Sequence, residues 1–170
     1  EPFLRGLAEL LSRRPELKSR LNATFVGIFP SGAHELVEAL GLGSVVQVMP
    51  YQRHREAMRR VMDADIAWVT VGDGPGQESI STGKLFAYMG AAKPILGIVP
   101  EGAAKQSLEA YGASWTVHPG DVSGLAETLS RIVDLRDRGN LPVPNPETVA
   151  AHDRRALAGQ LAGVLDRATS

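Results

Sequence analysis

Short β-branched and aromatic runs alternate with amphipathic stretches along most of this chain, and that alternation limits the possible folds more than any other feature. Ala23 to Phe29, Val45 to Met49, Ile66 to Val71, Ile95 to Val99 and Ser114 to Val117 read as strands, each followed closely by proline or glycine. Helical spacing fills the gaps at about Ala33 to Leu40, His54 to Asp63, Lys84 to Met89 and Ala104 to Tyr111, with a further helix at Val122 to Leu135. In the second of these, Ala57, Met58, Val61 and Met62 share one stripe while Arg55, Glu56, Arg59 and Arg60 share the other. An amphipathic helix from Phe3 to about Arg20 opens the chain. Alternation on this scale implies parallel β-α-β crossovers. The expected fold is therefore α/β: a doubly wound, Rossmann-like parallel sheet with helices on both faces and a ligand crevice at the carboxyl ends of its strands.

A chain of 170 residues with 44% hydrophobic side chains can bury its own core, and it contains no cysteine to make a disulfide, a thiolate nucleophile or a thiolate metal site. Eighteen basic residues against nineteen acidic ones give no broad positive field, which argues against nucleic-acid binding by a charged face. The longest apolar runs fall far short of the roughly 20 residues that cross a bilayer. No transmembrane or targeting segment is visible, so the default expectation is a cytoplasmic protein, and the absence of an initiator methionine suggests an excised piece. Pro142, Pro144 and Pro146 separate residues 1–140, the expected nucleotide-sugar-binding domain, from residues 141–170, a proline-rich linker and a docking helix from Glu147 to Ala168.

Residues Gly72 to Ile80 form a long glycine- and proline-rich loop between a strand and a helix. Gly72-Asp73-Gly74-Pro75-Gly76 fails the dinucleotide fingerprint on spacing, because Gln77 occupies a required glycine position. Ser81-Thr82-Gly83-Lys84 misses the phosphate-loop pattern in the same way. The underlying physics does not need the motif. Free N–H groups of Gly83, Lys84 and Leu85 at a helix start, capped by Thr82 or Ser81, form an anion site to which Lys84 adds a movable charge; the plain alternative is a capped helix with a solvated lysine. His34, His54, His118 and His152 are too scattered for a zinc site, and no hydrolase elbow is present. Tyr51 is a candidate stacking surface or a rim side chain packed on the next helix, Trp68 a core residue, and Arg59, Arg60, Arg136 and Arg138 solvated charges.

From Ser81 through Leu96, the run Ser81-Thr82-Gly83-Lys84-Leu85-Phe86-Ala87-Tyr88-Met89-Gly90-Ala91-Ala92-Lys93-Pro94-Ile95-Leu96 resembles the retaining glycosyltransferases of family 4, which have the two-domain GT-B fold. Leu40-Gly41-Leu42, Pro50-Tyr51, Ala64-Asp65-Ile66 and Val122 to Leu129 extend the resemblance over nearly the whole chain. It implies the carboxyl-terminal, donor-binding half of such an enzyme. That half holds a nucleoside diphosphate sugar, while a separate amino-terminal domain presents an acceptor (a glycan, a lipid or a small molecule). The resemblance places the diphosphate at Thr82, Gly83, Lys84 and Leu85, the base beside Met49, Pro50, Tyr51 and Gln52, Gly27 near the cleft, and the donor sugar against the loop carrying Glu78 and Ser79. Lys84 and Glu78 are the implied catalytic residues, with neither metal nor cofactor.

Two departures accompany the resemblance. Ala87 stands where many members carry a carboxylate that binds ribose, a bond alanine cannot make. The opening strand and glycine-rich turn of the family would precede Glu1. These expectations describe a transferase whose donor half is inactive alone. The alternatives are a catalytically dead nucleotide- or sugar-binding module, consistent with Ala87, and a regulatory α/β interaction domain using its last helix.

Overall fold

The computed structural model describes residues 1–151 and 153–168, with the side chains of residues 31 and 154 excepted. His152 lies outside the described residues. The chain is α/β, with two small all-parallel sheets and helices packed on them. β1 (Ala23–Val26) pairs with β2 (Val46–Met49); β3 (Ala67–Thr70), β4 (Ile95–Ile98) and β5 (Ser114–Val117) form the second sheet in that order. All five strands fall where the apolar runs predict them, shortened by one to three residues where the run outlasts its partner.

The opening helix is shorter than its periodicity suggests. α1 (Pro2–Arg13) stops before Pro15, and Pro15–Ser19 turns as a 3-10 helix, because proline has no N–H to continue the ladder and clashes with the preceding turn. Leu17 of that turn is fully buried, so the apolar pattern continues although the α-helix does not. α1 lies along α6 (Val122–Asp137), with Leu4, Leu7, Leu10 and Leu11 facing Leu125, Leu129, Ile132 and Val133 in one cluster. An ideal Cβ on Gly6 would lie 2.6 Å from Leu125 Cγ, so the missing side chain sets how closely the two helices approach. At the rim, Arg14 donates to Asp134 at 2.8 Å and to Ser130 at 3.0 Å, and Arg20 grips both carboxylate oxygens of Asp137 at 2.6 and 2.8 Å.

The two faces of the β3–β5 sheet bury different helices. Leu96, Ile98, Trp115 and Val117 join the α1–α6 cluster, while Val69, Val71, Ile95 and Val99 join a second cluster with Leu85 and Met89 of α4 (Gly83–Gly90) and with Leu108 and Tyr111 of α5 (Ala103–Tyr111). β4 is buried at every position, as expected for a parallel strand covered on both sides. α2 (Ser31–Ala39) places Val37 in the α1–α6 cluster, with Leu36 and Leu40 packed against it. α3 (His54–Asp63) buries no residue, despite a well-formed apolar stripe.

Residues 140–151 are tied to α5 and α6. Asn140 donates to Leu135 O at 2.9 Å, Asn145 to Tyr111 O at 3.3 Å, and Thr148 Oγ1 to Ala110 O at 3.2 Å. The segment is a strap across α5, where the prolines alone predict a free linker. The single helix expected from Glu147 to Ala168 is instead two, α7 (Pro146–Ala151) and α8 (Arg154–Ala168), with Asp153 Oδ1 accepting from the N–H groups of Arg155 and Ala156 at 2.9 and 3.3 Å. The stripe expected to dock, either on this domain or on a neighbour, leaves Leu157, Leu161, Val164 and Leu165 exposed. Among the described residues no helix is long and apolar enough to cross a membrane.

Tyr111 supplies a pH test of this packing. Its ring is fully buried and its hydroxyl donates to Lys93 O at 2.8 Å, and burial pushes the phenol from 10.0 up to about 12. A raised folded-state value means stability that is complete below pH 10 and is lost as pH climbs through the window from 10 to about 12. Burial pushes Tyr88 up as well, so it acts in the same direction. Urea midpoints should therefore fall across that window by the equivalent of about 2 kcal/mol, and Tyr111→Phe should flatten most of the fall while costing about 1 kcal/mol at pH 7 for the lost hydrogen bond.

Candidate functional site

The site residues named from the sequence fall into two groups, one on each sheet. On the β1–β2 sheet, Gly27 N–H donates to Met49 O at 3.0 Å, which brings the carboxyl ends of the two strands together. Gly27 does this at φ +118°, a backbone conformation closed to ordinary side chains, and so turns the chain out of the strand. Tyr51 follows β2 and is 80% exposed, so it does not pack on the next helix and presents an open aromatic face. Gln52 is held, its Oε1 accepting from Arg60 Nε at 2.9 Å. Arg60, read from the sequence as a solvated charge, thus orients Gln52.

The second group surrounds the start of α4. Gln77–Ser79 forms a 3-10 turn inside the long loop, with Glu78 and Ser79 exposed. Thr82 occupies the N-cap position, but its side chain makes no cap hydrogen bond. Ser81 Oγ and Thr82 Oγ1 are both buried atoms without a partner among the described residues. A buried hydroxyl in that state costs about 1–3 kcal/mol in unmade hydrogen bonds. The N–H groups of Gly83 and Lys84 likewise have no partner among the described residues, and the Lys84 side chain is exposed without an ion pair.

Two expectations need correction here. The capping role given to Thr82 or Ser81 is not fulfilled, because neither hydroxyl reaches a free N–H. Leu85 does not offer the free N–H expected of it: its side chain is completely buried in the α4–α5 cluster, and its N–H donates to Thr82 O at 3.0 Å. The first turn closes tightly enough to satisfy that group internally. The unpartnered groups at this helix start reduce to the N–H groups of Gly83 and Lys84 and the two hydroxyls.

Sequence reasoning missed Gly102. It sits at φ +141° and ψ −159°, and an ideal Cβ there would come within 2.1 Å of the Glu78 carbonyl oxygen. The turn bearing Glu78 therefore rests against the backbone that leads into α5. Proline, glutamate and glycine at 100–102 signal a turn, but nothing local signals that another loop lies against it.

No hydrogen bond or ion pair links the Gly27–Gln52 group to the Glu78–Lys84 group among the described residues. Two grooves of about 440 Å³ lie elsewhere, one between α1 and α6 beside Arg131 and Arg138, the other beside Met62 and Pro142. No trio of histidine, aspartate or glutamate that could hold a metal occurs among the described residues. Trp68, expected in the core, is half-buried at its edge, stacked on Phe3 at 4.4 Å between ring centroids.

Neither the family models nor the curated proteins contain a match to this chain.

Proposed function

We propose that this chain is the donor-binding domain of a retaining glycosyltransferase, with residues 1–140 forming a doubly wound, Rossmann-like unit that holds a nucleoside diphosphate sugar. The observation that carries the reading is the cluster of unsatisfied donors at the start of α4: two buried hydroxyls without partners, two free N–H groups and the exposed ammonium of Lys84. A diphosphate satisfies all of these at once, helped by the positive end of the helix dipole. The exposed face of Tyr51 suits a nucleobase, and Glu78 and Ser79 suit sugar hydroxyls.

In this reading the acceptor hydroxyl is the nucleophile, and it comes from a separate acceptor domain. As the bond from the anomeric carbon to the diphosphate oxygen breaks, negative charge collects on the leaving group. The N–H groups of the helix start are fixed donors that stabilise that charge, and the exposed, movable ammonium of Lys84 adds to them. The acceptor domain supplies the hydroxyl, whose proton leaves as the new glycosidic bond forms, so the donor half alone is inactive as a transferase.

Ala87 supports a second reading, a module that binds the nucleotide without turning it over. It stands on α4 with no group to hold ribose. The two readings share a binding site and differ in activity once an acceptor domain is supplied.

The test is an NMR titration with UDP, GDP, ADP and dTDP. Shifts at Gly83, Lys84 and Tyr51 for one nucleotide support the reading and name the base; no shifts with any of the four from a folded sample reject it for this chain. Lys84→Ala should weaken the nucleoside diphosphate about tenfold or more and the bare nucleoside hardly at all, because a charge-assisted hydrogen bond to phosphate contributes about 1.5–3 kcal/mol. Equal weakening of both would remove Lys84 from the phosphate.

A further inference from the structure

Glu127, Arg131 and Asp134 of α6, with Arg138 at its carboxyl-terminal cap, follow one another at spacings of four, three and four, so they stand in one row of alternating charge along the helix. Left to itself, such a row pairs each arginine with the carboxylate beside it. α1 intervenes. Arg14 donates to Asp134 at 2.8 Å and to Ser130 Oγ at 3.0 Å, and Arg13 Nη1 lies 3.8 Å from Glu127, so both carboxylates of the row face guanidinium groups from the other helix. Arg131 and Arg138 are left exposed, with no ion pair or side-chain hydrogen bond among the described residues. Two positive charges are therefore unbalanced on the rim of the groove between α1 and α6, over the apolar Leu10, Ala126 and Leu135.

We propose that this groove binds the phosphate of a phosphomonoester, with the organic part of the ligand against the apolar side chains. Several observations select that chemistry. A phosphomonoester carries close to two negative charges at neutral pH, matching the two unbalanced guanidinium groups, and the planar fork of arginine binds phosphate oxygens in pairs. Arg131 and Arg138 stand two helical turns apart, about 10.5 Å along the axis, near enough for two long side chains to converge on one phosphate over the turn between them. Ser130 lines the groove beside them; its oxygen accepts from Arg14, which leaves its O–H to donate to a further phosphate oxygen. The groove encloses about 440 Å³, within the roughly 300–1,000 Å³ of small-molecule clefts.

This site is separate from the donor crevice. α1 leads into the amino end of β1, and α6 leaves the carboxyl end of β5, so the last turns of both helices, where Arg14 and Arg138 sit, lie toward the amino ends of the strands. The start of α4 follows the carboxyl end of β3, at the other end of its sheet. A phosphomonoester held by Arg131 and Arg138 is thus an accessory ligand, distinct from a sugar donor, and the proposal does not depend on the donor-site reading.

An NMR titration with phenyl phosphate tests it. Amide shifts should cluster at Ser130, Arg131, Leu135 and Arg138 and should saturate. The double variant Arg131→Gln, Arg138→Gln should weaken that response at least about tenfold, since two charge-assisted contacts are lost. Both side chains are exposed, so the double variant keeps its fold. Arg136→Gln, on the same helix but paired with Asp65, should change the response by less than about twofold. The diester methyl phenyl phosphate, with a single charge, should bind at least about fivefold more weakly. Lys84→Ala separates this site from the start of α4: it alters any response at Gly83 and leaves that at Arg131. Sedimentation with vesicles of phosphatidylcholine, with and without phosphatidic acid, distinguishes the source of the phosphate. Binding that requires both phosphatidic acid and the two arginines marks a lipid headgroup, whereas binding of the soluble ester alone marks a free phosphorylated molecule. Shifts that never saturate, that persist in the double variant, or that the dicarboxylate glutarate reproduces at the same concentrations overturn the proposal, the last by making acidic side chains of a protein the natural occupant.

Discussion

Gly102→Ala should destabilise the chain by about 3 kcal/mol and loosen the loop that carries Glu78. Two costs combine. The backbone at φ +141° and ψ −159° lies in a region open essentially to glycine alone, a strain of about 1–3 kcal/mol for any other residue. The added methyl also meets a carbonyl oxygen at 2.1 Å and its carbon at 2.7 Å, and backbone cannot swing aside as a long side chain can. The urea midpoint should drop accordingly, and exchange at Gln77 to Ile80 should quicken more than exchange in β4. Gly112→Ala is the control. Gly112 is left-handed as well, at φ +77°, but nothing lies within 4 Å of its would-be Cβ, so the expected cost is about 1 kcal/mol. Equal losses at the two positions would show that the turn does not rest on Gly102.

Trp68→Ala should cost about 3 kcal/mol, the low end of the range for truncating a core aromatic, because the ring is half-buried against the cluster rather than inside it. Its ring lies parallel to Phe3 at 4.4 Å and edge-on to Phe25 at 5.3 Å, so a single truncation takes contacts from α1, β1 and β3 together. The ring also brings the two sheets into contact through Phe25, although their backbones share no hydrogen bond among the described residues. Its loss should lower the cooperativity of unfolding as well as the midpoint, with α1 and the β1–β2 sheet losing exchange protection before β4 and β5. Trp115, buried farther along the second sheet, remains as the fluorescent reporter. A loss below about 1 kcal/mol would mean that Phe3 and Phe25 close over the vacancy.

The features legible in the sequence are those written in local periodicity. Ser114 to Val117 could be bounded to the residue, because glycine and proline bracket it and its side chains alternate. The start of α4 could be located, since glycine-rich loop, small polar residues and apolar stripe follow in that order. The extent of α1 could have been read as well, as Pro15 announces the break that the leucine spacing conceals. Other features depend on what lies opposite. Nothing in Pro100-Glu101-Gly102 distinguishes a glycine that turns from one that makes room for Glu78. Whether Thr82 caps its helix depends on a rotamer, and whether Leu85 offers or keeps its N–H depends on how tightly one turn closes. The order of strands is set by contacts between segments far apart in the chain.

The pairing of α1 with α6 also governs the order in which the chain can fold as it is made. Arg13 reaches Ser123, 110 positions later, and Arg14 and Arg20 find Asp134 and Asp137 after 120 and 117. At ribosomal speeds of about 5–20 residues per second, some 6–24 s separate the synthesis of the two helices. Throughout that interval the leucine face of α1 has no lasting cover, and closing so long a loop is slow even when every residue is present. A leucine-rich helical segment thus waits seconds for its partner, and the yield of folded protein should depend on how well that segment is protected more than the stability of the finished fold would indicate.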